Sequence, residues 1–181
     1  SKEFNVIPVF SDGINNIAAI KSFFFKEGRG IVDGILNFMW FRINGGPFGG
    51  DASITKTVFK DLNVPVFSLS PMFLREIERW LESDAGLSQV EIITAVTWPE
   101  LDGCIEPIPC CGLSASNPPG MAAFNELSAI EDRVERIIQR VRKWMYLKKT
   151  PNHKKRIALI VYGYPPGEAN IAGAAYLDTF K

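Results

Sequence analysis

An alternation of strand-like and helix-like segments constrains the fold of this chain more than any other feature of its sequence. Apolar, β-branched runs are each followed by a run with helical periodicity. The strand-like runs are residues 5–10, 32–41, 64–69, 90–96 and 156–164, and the helix-like runs are residues 17–27, 53–62, 73–83, 126–148 and a last segment from about residue 171. This alternation predicts an α/β fold with a doubly wound, mostly parallel sheet, flavodoxin-like or Rossmann-like, flanked by helices.

The length and ends of the chain bear on its domain organisation. Its 181 residues suffice for one well-buried domain and the beginning of a second. We expect an α/β domain over residues 1–150 and a further β-α unit over residues 151–181, which would begin the next domain. The chain opens almost directly on a strand and closes in a helix-like run without a stop signal. We therefore expect an internal fragment of a longer protein.

Charge and cysteine content exclude several classes of protein. Twenty Lys and Arg residues balance twenty Asp and Glu residues, so nothing favours nucleic acid or an anionic membrane as a partner. The three cysteines form no disulfide framework, and no apolar run is long enough to span a membrane. These features predict a cytoplasmic protein without a membrane span.

The predicted fold also predicts where a ligand binds. Ligands of open α/β sheets lie beyond the carboxyl ends of the strands. The loops expected at that edge are residues 11–15, 42–51, 68–72, 98–103 and 163–170. Four of these five loops carry a carboxylate and four contain glycine, which is the composition expected of a working edge.

The glycine-rich segment GGPFGGD, residues 45–51, resembles a phosphate-binding loop in its glycine spacing. Asp51 stands where that motif requires lysine, and its carboxylate would repel a phosphate. A flexible turn, or a rim for a large flat ligand formed by Gly45 and Gly46, is the better interpretation.

The cysteines and the histidine give little support to metal or hydrolase chemistry. Cys110 and Cys111 are neighbours, and neighbouring side chains of an extended strand point to opposite faces. We therefore interpret them as small apolar residues rather than metal ligands. His153, the single histidine, lies in a polar linker with nothing to orient it as a catalytic base.

A basic stretch near the end of the chain has two open interpretations. It carries eight cations: Arg140, Arg142, Lys143, Lys148, Lys149, Lys154, Lys155 and Arg156. They complement the dipole at a helix C-terminus and a solvated linker, or they contact a carboxylate-bearing ligand or an acidic partner.

The segment TWPELDGCIEPIPCCG, residues 97–112, concentrates the candidate chemistry. It places Glu100, Asp102 and Glu106 within seven residues of a Pro- and Gly-shaped stretch. A solvated turn explains any one of these carboxylates. Together they could instead raise one another's pKa or attract a divalent cation, and the spacing leaves both interpretations open.

Several uncommon words of the sequence resemble one family. WPELDGCIEPI is similar to the PELDG segment of the large subunits of ATP-dependent tetrapyrrole metal chelatases, the cobaltochelatase CobN type and the magnesium chelatase H type. The likeness continues in VIPVFSDG, NFMWFRINGGP, NVPVFSLSPM, EIERWLESDAGL and the C-terminal stretch from RKWMYLKKTP to AAYLDTF. The resemblance covers nearly all 181 positions in the same order.

The resemblance implies a role for particular residues. Subunits of this family bind a porphyrin or corrinoid and hold the site of metal insertion. The likeness implies catalytic roles for Glu100, Asp102 and Glu106 and tetrapyrrole contacts by Gly45, Gly46 and Trp98. It leaves the metal ligands unknown and identifies no cofactor bound by this chain. The divalent metal, Co²⁺ or Mg²⁺, would be the substrate. ATP is hydrolysed by separate AAA+ subunits, which work with integrin-I-type subunits.

The resemblance also implies an activity, with one alternative. We expect part of a ligase-type metal chelatase of cobalamin or (bacterio)chlorophyll biosynthesis, inactive on its own. Cobalt is slightly favoured over magnesium because corrinoid synthesis is the more widespread need. The alternative is a non-catalytic α/β interaction module that docks the AAA+ partners through the basic stretch.

Overall fold

The computed structural model describes residues 4–116 and 124–158, and it confirms the predicted α/β class. Its main sheet has four strands in chain order: β3 (Ile35–Asn37), β4 (Val66–Glu76), β5 (Ile105–Ser116) and β6 (Phe124–Ala129). The first three strands are parallel, and β6 pairs with β5 in the antiparallel direction. A short antiparallel pair, β1 (Phe25–Lys26) and β2 (Arg29–Gly30), lies outside this sheet.

Helical segments connect the strands. They are α1 (Asn16–Phe24), α2 (Ala52–Leu62), α3 (Ile77–Leu81), α4 (Gln89–Glu91), a π-helical segment (Ile92–Thr97), α5 (Trp98–Leu101), α6 (Glu131–Lys149) and a 3₁₀ turn (Asn152–Lys154). The contacts divide the chain into two units, Ser1–Tyr146 and Leu147–Lys181. The sheet lies in the first unit. The domain boundary at residue 150 stays a prediction.

Both faces of the central strand β4 are covered, as a doubly wound sheet requires. Every residue from Val66 to Met72 is buried, although successive side chains point to opposite faces. Val66 packs with Val58 of α2, whereas Phe67 packs with Ile137 of α6. We call these the α2 face and the α6 face of the sheet.

The predicted strand over residues 90–96 is wrong, because this segment is helical from Gln89 to Leu101. A capping box starts the helix: the Ser88 side chain accepts from the Glu91 amide, and the Glu91 carboxylate accepts from the Ser88 amide. Residues Thr94 and Ala95 are buried, whereas Ile92 is 45% exposed. The apolar run therefore covers β4 as a helix instead of entering the sheet.

Other predicted elements are shifted or absent. Residues 5–10 form no strand, the strand predicted over 32–41 contracts to β3, and β4 continues through the first part of the helix predicted over 73–83. The helix predicted from residue 126 begins at Glu131, because β6 precedes it. The sequence patterns did not predict β5, because prolines are unusual inside a strand and β5 contains two. The strand accommodates them where its pairing with β4 is irregular.

The remaining predicted elements lie near the C-terminal end of the chain. The strand predicted over residues 156–164 shows no strand at 156–158, and its remainder, with the helix from about residue 171 and the loop at 163–170, lies outside the described residues. Among the helices of the described residues, none combines the length and the apolar character needed to cross a membrane.

Candidate functional site

Asp102 joins two of the segments that the sequence singled out. Its carboxylate is fully buried and accepts hydrogen bonds from Arg42, at 3.0 Å from Nε and 2.6 Å from Nη2. Its other oxygen accepts from the backbone amide of Ile43 at 2.7 Å. Asp102 therefore fastens the PELDG segment (residues 99–103) to the β3–α2 loop (residues 38–51).

The glycines of the β3–α2 loop allow close approach of backbones. Gly46 has φ +56°, and a Cβ there would lie 2.5 Å from the carbonyl oxygen of Gly13. A Cβ on Gly45 would lie 2.1 Å from the carbonyl oxygen of Gly49. Gly45 and Gly46 thus fold the loop on itself and seat it on residues 11–15. Asp51 ends the loop by capping α2 through the Ser53 amide, at 2.8 Å.

A row of aromatic rings runs along the same region, and we call it the aromatic row: Phe73, Trp40, Phe41 and Trp98. Successive ring centroids are 5.2, 6.2 and 5.8 Å apart. The Trp40 indole donates to the carbonyl of Pro71 at 2.7 Å, which fixes its orientation. All four rings remain at least partly exposed, so they form an apolar surface open to solvent.

Phe41 occupies an unusual backbone conformation within this row. Its φ is +68°, a region that bulky residues rarely adopt. Its amide donates to the carbonyl of Thr94 at 2.7 Å, and its ring contacts Trp98. The helical segment thus holds the β3–α2 loop in a strained conformation, and such strain is concentrated at functional sites.

Glu100 is the carboxylate of the PELDG segment that remains available. It is exposed, and within the described part of the chain its side chain forms no hydrogen bond or ion pair. It lies on α5 two positions after Trp98, and residues two apart on a helix project in different directions. Glu100 and Trp98 therefore leave α5 in different directions, so only a broad ligand that extends from the aromatic row around α5 could contact both.

Glu106 lies on the other face of the sheet. Its carboxylate pairs with Arg140 and accepts from the Trp144 indole at 3.1 Å, both on α6. Burial raises the pKa of Glu106, but these two donors outweigh burial and hold its pKa below the ordinary value. The three predicted carboxylates are thus not brought together: Asp102 is buried on the α2 side, and Glu106 lies under α6.

The predicted working edge is only partly correct. Residues 98–103 precede β5 rather than following a strand, because the predicted fourth strand is helical. Residues 68–72 lie inside β4. Residues 11–15, 42–51 and 98–103 nevertheless meet, through Gly46 and Asp102. They do so above the α2 face, where Ile43 belongs to the buried core with Val58.

Metal centres with three or more protein ligands are absent from the described residues. Among them, no group of three or more His, Cys, Asp or Glu side chains lies close enough to hold an ion. Burial, with the nearby Asp102 charge, raises the pKa of the Cys104 thiol to about 12, so this cysteine is inert. His153 is exposed in the 3₁₀ turn.

Sequence reasoning missed Arg42, Trp40 and Phe41. Arg42 contacts Asp102 across sixty positions of sequence, and no local pattern marks such a contact. The aromatic residues had a signal in the word FMWF, which we assigned to a strand. Its exposed aromatic rings instead belong to the loop after β3.

A family model described as CobN/Magnesium Chelatase matches residues 1–181 of the chain. The chain belongs to the CobN/Magnesium Chelatase family. This membership confirms the family that the words of the sequence indicated.

Relatives from both branches of the CobN/Magnesium Chelatase family match the chain. The chloroplastic magnesium-chelatase subunit ChlH of Oryza sativa subsp. indica is 29% identical over 183 residues, which is 100% of this chain and 13% of the relative. The H-type magnesium-chelatase subunit of Chlorobaculum parvum is 30% identical over 179 residues, 96% of this chain and 13% of the relative.

The cobalt branch matches over a shorter length. The aerobic cobaltochelatase subunit CobN of Pseudomonas aeruginosa is 31% identical over 102 residues, 55% of this chain and 8% of the relative. The chain thus spans about an eighth of the length of the magnesium-chelatase subunits. No solved structure matches it significantly.

Proposed function

We propose that this chain is part of the large, tetrapyrrole-binding subunit of an ATP-dependent metal chelatase. The complex inserts Co²⁺ or Mg²⁺ into a corrinoid or porphyrin ring, in cobalamin or (bacterio)chlorophyll biosynthesis, with the cytoplasm as the predicted compartment. Family membership supports this activity, and the names of the relatives include both metals. The observation that carries the site is the exposed carboxylate of Glu100, whose side chain has no hydrogen-bond or ion-pair partner among the described residues.

Metal insertion requires the chemistry that a free carboxylate supplies. The ring must lose two pyrrolic protons, and the cation must exchange bound water for ring nitrogens. A carboxylate accepts protons and also serves as a transient oxygen ligand. In this proposal Glu100 performs these steps, while Asp102 is a positioning residue that holds the PELDG segment against Arg42. Glu106 stabilises α6 on the sheet.

The aromatic row supports binding of a flat ring. Stacking on an aromatic surface contributes apolar contact with little loss of side-chain entropy, since these rings are fixed by their neighbours. We assign Trp98 and Phe41 to the ring-binding surface. Gly45 and Gly46 contribute indirectly, because they set the course of the β3–α2 loop that carries Phe41.

ATP hydrolysis belongs to partner subunits in this proposal. The glycine-rich loop lacks the lysine of a phosphate-binding loop, and Asp51 caps α2 in its place. AAA+ and integrin-I-type subunits would supply the energy for insertion.

The experiment replaces Glu100 by Gln in the full-length subunit and measures metal insertion with partner subunits and ATP, using Co²⁺ and Mg²⁺ separately. We expect turnover to fall by about 100-fold or more, since a general base contributes at least that much. Ring binding, followed by Trp fluorescence, should be retained. Glu82→Gln, another exposed carboxylate, is the matched control. Normal turnover of Glu100→Gln would contradict the site.

A second candidate function is a non-catalytic module that docks the AAA+ partners. The exposed side chains of Lys148 and Lys149 in the last turn of α6 favour it, because they offer an acidic partner two adjacent cations. Reversing both charges with Glu should then weaken assembly, measured by co-purification, and leave ring binding intact. Unchanged assembly would exclude this function for the basic stretch.

A further inference from the structure

The two adjacent cysteines of β5 do not point to opposite faces. Their sulfurs lie 3.6 Å apart, which a regular strand would not allow. The pairing with β4 explains the geometry. Pro109 pairs with Ser70, and Cys111 pairs with the next residue of β4, Pro71. Between these two pairs β5 therefore contains one residue more than β4 does. Cys110 is the extra residue of a β-bulge, and a bulge redirects side chains.

The bulge places both thiols on the α6 face of the sheet. Cys110 is a buried member of the core cluster that contains Phe67 and Ile137, and Cys111 packs against the same cluster. Cys110 is 3% exposed, whereas Cys111 keeps partial access to solvent. The expectation from the sequence that the two side chains point to opposite faces is therefore wrong.

The spacing of the sulfurs suits a chelated cation. A tetrahedral ion with bonds of about 2.3 Å to sulfur holds two ligand sulfurs about 3.8 Å apart, close to the observed 3.6 Å. Two thiolates neutralise a divalent charge, so the complex is neutral overall. A neutral complex can lie at the margin of an apolar core, where a net charge would be costly.

The two thiols differ in their access to solvent. Cys111 is the more exposed of the two, so it meets the ion first, and Cys110 completes the chelate from the buried side.

We propose that Cys110 and Cys111 form a two-thiolate site for a soft divalent cation such as Zn²⁺ or Cd²⁺. Each thiol releases one proton to solvent, two sulfur–metal bonds form, and water fills the remaining positions on the Cys111 side. The described residues provide no third His, Cys, Asp or Glu ligand beside the pair. The site is therefore distinct from a closed structural zinc centre, and it does not depend on the proposed chelatase function.

The first test titrates the full-length protein with Cd²⁺ and records sulfur-to-cadmium charge-transfer absorption. We compare wild type with Cys110→Ala, Cys111→Ala and the control Cys104→Ala, which removes a buried thiol on the α2 face. Each variant of the pair should lose the band and bind about 10-fold more weakly or worse, and Cys104→Ala should behave as wild type. Affinity should rise with pH as the two thiols ionise.

A second measurement uses wild-type protein and avoids any folding defect of the variants. Alkylation at Cys111, followed by mass spectrometry of the peptide, should be much slower with Cd²⁺ present. The proposal is overturned if Cys111 reacts at the same rate with and without Cd²⁺. It is equally overturned if a folded Cys110→Ala variant retains the charge-transfer band.

Discussion

At the scale of single residues, Asp102 is the most constrained of the three carboxylates that the sequence singled out. Both of its oxygens accept hydrogen bonds, and its side chain is fully buried while that of Arg42 is 16% exposed. Breaking a buried pair leaves an uncompensated charge, which costs more than the pair contributes. The Asp102 carboxylate therefore has a structural role, in contrast to the exposed carboxylate of Glu100.

We expect Asp102→Asn to lower the free energy of unfolding by about 3 kcal/mol. The asparagine side chain has only one oxygen that accepts hydrogen bonds. Either the Arg42 guanidinium or the Ile43 backbone N–H therefore loses its partner. Urea unfolding monitored by circular dichroism measures the change. Asp84→Asn, at an exposed position, should change the free energy little. Equal stability of the two variants would show that the buried pair is dispensable.

Alanine substitutions at Gly46 and Gly28 distinguish two sources of destabilisation, backbone strain and steric clash. Both have positive φ, +56° and +76°, but only at Gly46 would a Cβ meet backbone, 2.5 Å from the oxygen of Gly13. Gly28→Ala should cost about 1 kcal/mol, the penalty of the left-handed conformation alone. Gly46→Ala should cost clearly more. Thermal or urea unfolding of both variants measures the difference, and equal losses would contradict the tight packing of the loop.

At the scale of elements, α6 is fastened to β5 through one carboxylate. Glu106 pairs with Arg140 and accepts from the Trp144 indole, while Trp144 also packs on the core cluster that includes Phe67. Glu106 itself has φ +53° at a register shift of β5. The irregular strand thus turns a side chain toward the helix that covers it.

This contact predicts a pH dependence with a definite sign. The folded pKa of Glu106 lies below its ordinary value of 4.5, so its stabilisation is present above that value and is lost as pH falls through the folded pKa. Unfolding free energies measured from about pH 6 to pH 3 should therefore fall less steeply for Glu106→Gln than for wild type. Glu82→Gln is the control. If the unfolding free energy of Glu106→Gln fell with pH as steeply as that of wild type, the contact of Glu106 with α6 would not contribute to the pH dependence.

The helical segment from Gln89 depends on its capping box. Ser88→Ala removes the cap and one partner of the buried Glu91 carboxylate, which also pairs with Arg75 at 3.0 Å. We expect a loss of about 1 kcal/mol or more in unfolding free energy. Ser83→Ala, which removes a bond in an exposed turn, should have a smaller effect. Urea unfolding of the pair compares them directly.

The elements also show what the sequence can and cannot predict. The pattern of α2 identified its extent to within one residue, because helical periodicity is a local signal. Residues 90–96 misled the same reasoning, since an apolar β-branched run is common to a buried strand and to a helix covering a sheet. The deciding signal was the Ser88 and Glu91 capping box, which spans the start of the run.

At the scale of the whole molecule, the class of the fold was predictable and the assembly of the site was not. Alternating apolar segments are enough to indicate a sheet with helices on both faces. The site depends on long-range contacts: Asp102 reaches Arg42, and Gly46 reaches Gly13. The unusual composition of its segment singled out Glu100, whose role stays a prediction, but nothing local showed that Glu106 lies on the opposite face.

The aromatic row gives a prediction for the intact subunit. Trp98→Leu removes a stacking surface next to Phe41 without touching a buried charge, so ring binding should weaken by about 10-fold, roughly the worth of one aromatic contact. Fluorescence titration with a porphyrin and with a corrinoid precursor measures the change. Trp80→Leu, outside the row, is the matched control. Equal affinities of the two variants would exclude the row as the binding surface.

The brace between Asp102 and Arg42 has a consequence for how this family can diverge. Two segments sixty positions apart share one buried ion pair. A substitution of either residue alone would therefore leave the other charge without its partner. Substitutions at the two positions should therefore be inherited together. A transplanted PELDG segment should function in a distant relative only when the matching loop residue accompanies it.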